Sequence, residues 1–157
     1  MKILVLGLGN ELLSDDGVGI LTARRLRTQL DGQAEVIESS LSGISLIELF
    51  AGHEKAIVID AVSTGRHPVG SVLEFAPEDL GPVVAPSPHY SGLPEILALA
   101  RQLEVSFPEE IKIFAVETAD MTTIGGSLSQ PVAAAITPLT ERVMTQIRQW
   151  RKQEPHA

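Results

Sequence analysis

The chain has 157 residues, no cysteine and a net charge of -8. That length suits one domain with a real core. The missing thiols exclude disulfides, cysteine-ligated metal centres and a cysteine nucleophile, and the acidic balance argues against a nucleic-acid surface, which needs clustered Lys and Arg. Hydrophobic residues make up 44% and aromatics only 4%, so Leu, Ile, Val and Ala must fill the core. No apolar run approaches the roughly 20 residues needed to span a bilayer. The apolar start is too short for a signal peptide, and a cytoplasmic protein is expected.

Ile3–Leu6 is a continuous apolar run closed by Gly7, the pattern of a strand buried on both faces. From Gly17 to Leu30 the pattern turns helical, with Asp15 or Asp16 available as N-cap. Glu35–Glu38 reads as a second strand, and Ser42–Phe50 as a helix on the threefold spacing of Ile44, Ile47 and Phe50. Ala56–Ile59 is a third buried strand that ends at Asp60. Ser71–Phe75 is extended. The polar, Pro-rich stretch Ala76–Gly92 is a long loop, and such loops in compact domains usually carry function.

Leu93–Leu103 reads as a helix with Ile96, Leu99, Ala100 and Leu103 on one face. Ile111–Val116 is a further strand, and Thr118–Gln130 a second long loop. Pro131 opens a last helix, since the first helical position tolerates a missing N–H. Pro138 is expected to kink it, or to restart it with Thr137 as cap. Arg24, Arg25 and Arg27, then Arg142, Arg148, Arg151 and Lys152, read as solvated helix faces. The alternation predicts one three-layer α/β/α domain over residues 1–152, of the phosphorylase/hydrolase-like kind. Its sheet is mostly parallel with about five strands, and residues 153–157 form a disordered tail.

The residues able to do chemistry gather after strands. Gly7-Leu8-Gly9-Asn10 would suit a dinucleotide loop, but Leu12 stands where that motif needs a third glycine, and two acids would face the pyrophosphate. One aspartate suffices to cap a helix, so Asp15 is read as holding the turn and Asp16 as pointing into a cleft. Asp60, at a strand end, opens on the same sheet edge. His89 lies in Pro86-Ser87-Pro88-His89 ahead of a helix, whereas His53, His67 and His156 read as ordinary surface residues. Two carboxylates and one imidazole suit a mixed O/N metal site with open positions, or an acid–base pair with an orienting histidine. The sequence has no Gly-x-Ser-x-Gly elbow, P-loop or His-Glu-x-x-His helix.

The order of these pieces resembles the maturation endopeptidases of nickel–iron hydrogenases. The resemblance rests on Gly7, Gly9, Asn10, Asp15, Asp16 and Gly17, then on Ile57-Val58-Ile59-Asp60-Ala61. Ser87-Pro88-His89 before Gly92-Leu93 and the loop Gly125–Pro131 complete it. It implies an endopeptidase that removes the C-terminal extension of a hydrogenase large-subunit precursor after nickel insertion. Asp16, Asp60 and His89 are then the site residues, both as catalytic groups and as contacts to the metal. No permanently bound cofactor is implied, because the nickel arrives with the precursor. A monomer with neither nucleic-acid nor membrane partners is expected.

The mechanism is open between nickel gripped by the three residues and an aspartate activating water. Val116-Glu117 departs from the Gln-Pro or similar pair of several members, which makes Glu117 a candidate for precursor choice. Two alternatives use overlapping features. A non-catalytic nickel-precursor chaperone would use the same three residues. Peptidyl-tRNA hydrolase shares Gly-Leu-Gly-Asn, but that family continues with a proline and a histidine-bearing stretch, and here Glu11 follows Asn10.

Overall fold

Apolar runs without polar alternation need cover on both faces. The structure, a computed structural model describing residues 1–41, 43–79, 102 and 106–155, builds its sheet from them. Strands β1 (Ile3–Leu8), β2 (Glu35–Ser39), β3 (Lys55–Val62), β4 (Val72–Phe75) and β5 (Glu110–Glu117) lie in the order β2-β1-β3-β5-β4. All pairings are parallel except β4 against β5. The antiparallel β4 follows β3 by way of the turn-rich segment Thr64–Gly70 and closes one edge of the sheet.

Alternation along the strands makes two cores. Ile3, Val5, Ile57, Ile59, Phe114 and Val116 meet helices α1 (Val18–Leu30) and α3 (Gln130–Gln153) on one face. Leu4, Leu6, Leu8, Ala56, Val58, Ile113 and Ala115 form the other face, with Leu46 and Phe50 from the segment between β2 and β3. The expected α/β/α layering and mostly parallel sheet are found. Among the described residues, no helix is long and apolar enough to cross a membrane.

Several expected boundaries shift. β1 runs on through Gly7 to Leu8, and β3 runs to Val62, so Asp60 lies inside its strand rather than at its end. A 3₁₀ helix, Ser14–Gly17, precedes α1, and neither makes a side-chain N-cap bond. The capping role expected of Asp15 or Asp16 is therefore not taken up. The helix expected over 42–50 is a 3₁₀ turn, Gly43–Leu46, followed by the short α2, Ile47–Phe50. Its expected first residue, Ser42, lies outside the described residues.

α3 passes through Pro138 without a break, contrary to the kink or restart expected there. A proline frees the carbonyl four residues earlier, that of Ala134. Ala134 and Pro138 are both exposed, so water can serve that group, while Ala135, Leu139 and Val143 keep the buried stripe continuous. Thr137 accepts a bond from Arg25 of α1 at 3.1 Å instead of capping. The expected helix Leu93–Leu103, apart from Gln102, and the loop Ala76–Gly92 beyond residue 79 lie outside the described residues.

The first turn of α1 sits on the ends of β1 and β3 with no room for a side chain. A Cβ on Gly19 would lie 2.3 Å from the Leu8 carbonyl oxygen and 2.5 Å from that of Ile59. Both obstacles are backbone in central strands and cannot step aside cheaply. Gly19→Ala should therefore lower stability by about 3 kcal/mol, the upper end for overpacking. A urea unfolding midpoint equal to that of the unsubstituted protein would show that α1 does not seat this closely.

Candidate active site

In a parallel sheet the chain leaves β1 to one side, to β2, and returns to the other side as β3. Ligands of such sheets bind outside the carboxyl ends of the strands where that direction reverses. Here the reversal falls between β1 and β3. The segment after β1 carries Asp16, and the carboxyl half of β3 carries Asp60. The 3₁₀ helix with Asp16 packs against β3, so the fold brings these two expected site residues to one edge.

The β1–α1 loop folds tightly back on its own strand. Gly9 has φ +147°, and a Cβ there would lie 2.1 Å from the Asp16 carbonyl oxygen. Only glycine permits that approach. The Asn10 N–H donates to Asp16 Oδ2 at 2.9 Å, and the Leu12 N–H donates to Asn10 Oδ1 at 3.0 Å. The carboxylate of Asp16 is thus held over the end of β1, with the residue only 8% exposed.

Asp15 does different work. It is fully buried, and its two oxygens accept from the N–H groups of Ala119, Asp120 and Ser129 at 3.0, 3.2 and 2.7 Å. The Ser129 hydroxyl adds a fourth bond at 2.9 Å. In return the Asp15 N–H donates to the Asp120 carbonyl at 2.9 Å. Asp15 is therefore the tie between the β1–α1 loop and the β5–α3 loop, and a buried carboxylate persists only with such partners. Gly126 packs on Ser14, whose hydroxyl donates to the Ser127 carbonyl at 3.1 Å.

Asp60 is fully buried, and its Oδ1 accepts from the Ala61 N–H at 2.8 Å. By strand alternation it shares the sheet face of Ala56, Val58 and Val62. Glu117, opposite Val62 in the register, lies on that same face and is also buried. It accepts from the Thr64 N–H at 2.8 Å and from the Thr64 hydroxyl, so it clamps the turn that follows β3. Glu117 is thus buried behind the turn after β3 rather than exposed at the sheet edge.

The third expected residue, His89, lies outside the described residues. Among the described residues no group of three or more His, Asp or Glu side chains could hold a metal ion. His53 is buried and contacts Glu35 at 2.7 Å, away from the carboxyl edge. The anchoring roles of Ser129 and Asp120 were missed by sequence reasoning. The signal available was the pairing of polar residues in 118–130 with a surplus acid in 14–17.

Charges beside the cleft are internally balanced. Arg24 of α1 bonds both oxygens of Glu11 at 3.3 Å and Glu38 at 2.8 Å, and Arg27 bonds Glu38 at 2.6 Å. The Arg24 bond is the main force holding the Glu38 carboxyl below the usual range. Asp120 is pulled down to about 2, first by the Thr123 hydroxyl and then by the amides of Thr122 and Thr123.

The sequence pattern of the family HycI, hydrogenase maturation protease, matches residues 20–146. The hydrogenase 2 maturation protease of Escherichia coli (strain K12) is 29% identical over 153 residues, covering 95% of this chain and 92% of that protein. The solved structure of the hydrogenase maturating endopeptidase HybD from E. coli superposes with a TM-score of 0.80 at 27% identity, covering 95% and 93% of the two chains. The NiFe hydrogenase maturation protease HybD from Thermococcus kodakarensis gives 0.74 at 26% identity, covering 94% and 99%.

Asp15→Ala would leave three loop N–H groups without their acceptor and should cost about 3 kcal/mol of stability. The amide resonances of Ala119, Asp120 and Ser129 should move together in that variant. A shift confined to the neighbours of Asp15 in sequence would contradict the tie. Asp120 titrates below its ordinary value, so its contribution is present above the usual carboxylate range and is lost as the pH falls through about 2. A carboxyl-carbon titration by NMR with its midpoint near 4 would contradict this.

Proposed function

Because the chain belongs to the hydrogenase maturation protease family, we propose that it is the endopeptidase that removes the C-terminal extension of a nickel–iron hydrogenase large-subunit precursor. The observation that supports this best is the pair of buried carboxylates, Asp16 and Asp60, at the reversal point of the sheet. Each is oriented by a backbone N–H. A carboxylate accepts hydrogen bonds, holds cations and can serve as a proton acceptor. Two such groups at the mouth of a parallel sheet have no role in the core, where apolar side chains would pack better.

In this reading the substrate brings its own nickel, and the protein needs no resident cofactor. Asp16, Asp60 and His89 supply two oxygen ligands and one nitrogen, a set suited to a first-row divalent metal. Contact with the precursor's nickel makes cleavage conditional on insertion being complete. The same carboxylates can take a proton from the attacking water. The reaction needs a hydroxyl to reach the scissile carbonyl and a proton to reach the departing amine. In this reading Asp16 and Asp60, which share one edge, handle those protons. The protein acts in the cytoplasm as a monomer.

The test is conversion of nickel-loaded precursor followed by mass spectrometry. The unsubstituted protein should release one C-terminal peptide. Asp16→Asn, Asp60→Asn and His89→Ala should each slow release at least about 100-fold, with circular dichroism unchanged. Nickel-free precursor should remain uncut. Normal rates in all three variants would refute the assignment. Binding of the precursor with no peptide released would favour a chaperone instead.

A further inference from the structure

Exposed apolar side chains are normal when scattered singly and informative when they gather. Among the described residues the large ones are Leu12, Leu41 and Ile124, exposed at 64%, 46% and 82%. They stand on the segments that leave β1, β2 and β5, so all three occupy the carboxyl edge of the sheet, where Asp16 and Asp60 lie. The Leu12 and Ile124 segments are fastened together, since the Gly125 N–H donates to the Leu12 carbonyl at 2.8 Å. Between the β1–α1 loop and the end of β2 runs an open groove of about 590 Å³, lined by Gly9, Leu12, Ile20, Glu38, Ser39 and Ser40 among others.

The charge of this groove is settled internally. Glu11 and Glu38 both bind Arg24, and Glu38 also binds Arg27. In a chain of net charge -8, two acids matched by two arginines leave a neutral strip. What it offers a partner is backbone, polar groups of Asn10, Ser39 and Ser40, and the apolar side chains of Leu12 and Ile20. A charged segment gains nothing there, and an uncharged apolar one covers surface that water now wets.

We propose that this rim is the docking surface for an uncharged, apolar stretch of the precursor polypeptide next to its scissile bond. The stretch lies extended along the groove against Leu12 and continues onto the adjoining β5–α3 loop, where Ile124 is exposed. The inference rests on the peptidase reading above and specifies how that enzyme holds its substrate. Continuity with the site argues for the precursor over other occupants. One loop carries both Leu12 and Asp16, and Asn10 bonds to each of them, so a peptide bond delivered to Asp16 passes beside Leu12.

The experiment uses the full chain and the nickel-loaded precursor. The double variant Leu12→Ser/Ile124→Ser removes the apolar contacts at two exposed positions, so its unfolding midpoint should match that of the unsubstituted protein. Its KM should rise at least about 10-fold with kcat within about twofold, the mark of lost uniform binding. Leu12→Met/Ile124→Leu should restore the original KM. An unchanged KM in the serine variant overturns the docking surface and leaves the peptidase reading standing. So does a fall in kcat alone, which would mean a disturbed Asp16. Self-association of the unsubstituted protein that the serine variant abolishes would instead assign the rim to a second copy. If the unsubstituted protein releases no peptide, the peptidase reading falls and the docking surface with it.

Discussion

Everything at the carboxyl edge depends on how closely α1 can approach the sheet. Gly7 on β1 faces Gly19 and Ala23 of α1, and a Cβ on Gly7 would lie 2.4 Å from the Gly19 carbonyl oxygen. Gly19 in turn rests on the carbonyls of Leu8 and Ile59. Backbone therefore packs against backbone at the point where β1, β3 and α1 meet. Interiors this dense do not deform gradually. The ten residues between Leu8 and Gly19 have to fold back over the strand ends, and this sets where Asp16 is delivered.

Two adjacent aspartates divide the work that follows. Asp15 turns inward and binds the far loop through four contacts, which holds the β5–α3 loop against the β1–α1 loop. Asp16, one residue on, is turned the other way and is held by the Asn10 N–H. Charge burial is costly without partners, so the fully satisfied acid is structural. Glu117 repeats the pattern on β5, where its bonds to Thr64 steady the turn after β3. Glu117 is thus a buried structural acid on the same sheet face as Asp60.

That Asp16 and Asp60 share one sheet edge was legible in the sequence because it depends on local rules. A surplus acid after a glycine turn, and an acid embedded in an apolar run, both stand out against the expected composition of their elements. The length of β3 was less legible. Asp60, Ala61 and Val62 read as a strand end and loop, yet pairing with Ala115, Val116 and Glu117 continues past the acid. Tertiary pairing satisfied the backbone there, which no local preference could foretell. Pro138 was misjudged for the opposite reason. Its local cost is real, but it falls on the exposed side of the helix, at Ala134 and Pro138, and the buried stripe of α3 outweighs it.

By itself, the sequence determined the layer architecture, the strand cores, the family resemblance and the placing of Asp16 and Asp60 at one sheet edge. These follow from periodicity and residue chemistry, which are written in the order of residues. Only the tertiary structure decided what Asp15 holds, because the groups that bind it are more than 100 positions away. It alone gathered Leu12, Leu41 and Ile124 on one edge. Exposure is a property of the folded surface, and residues far apart in the chain share a rim only once a parallel sheet aligns the ends of their strands.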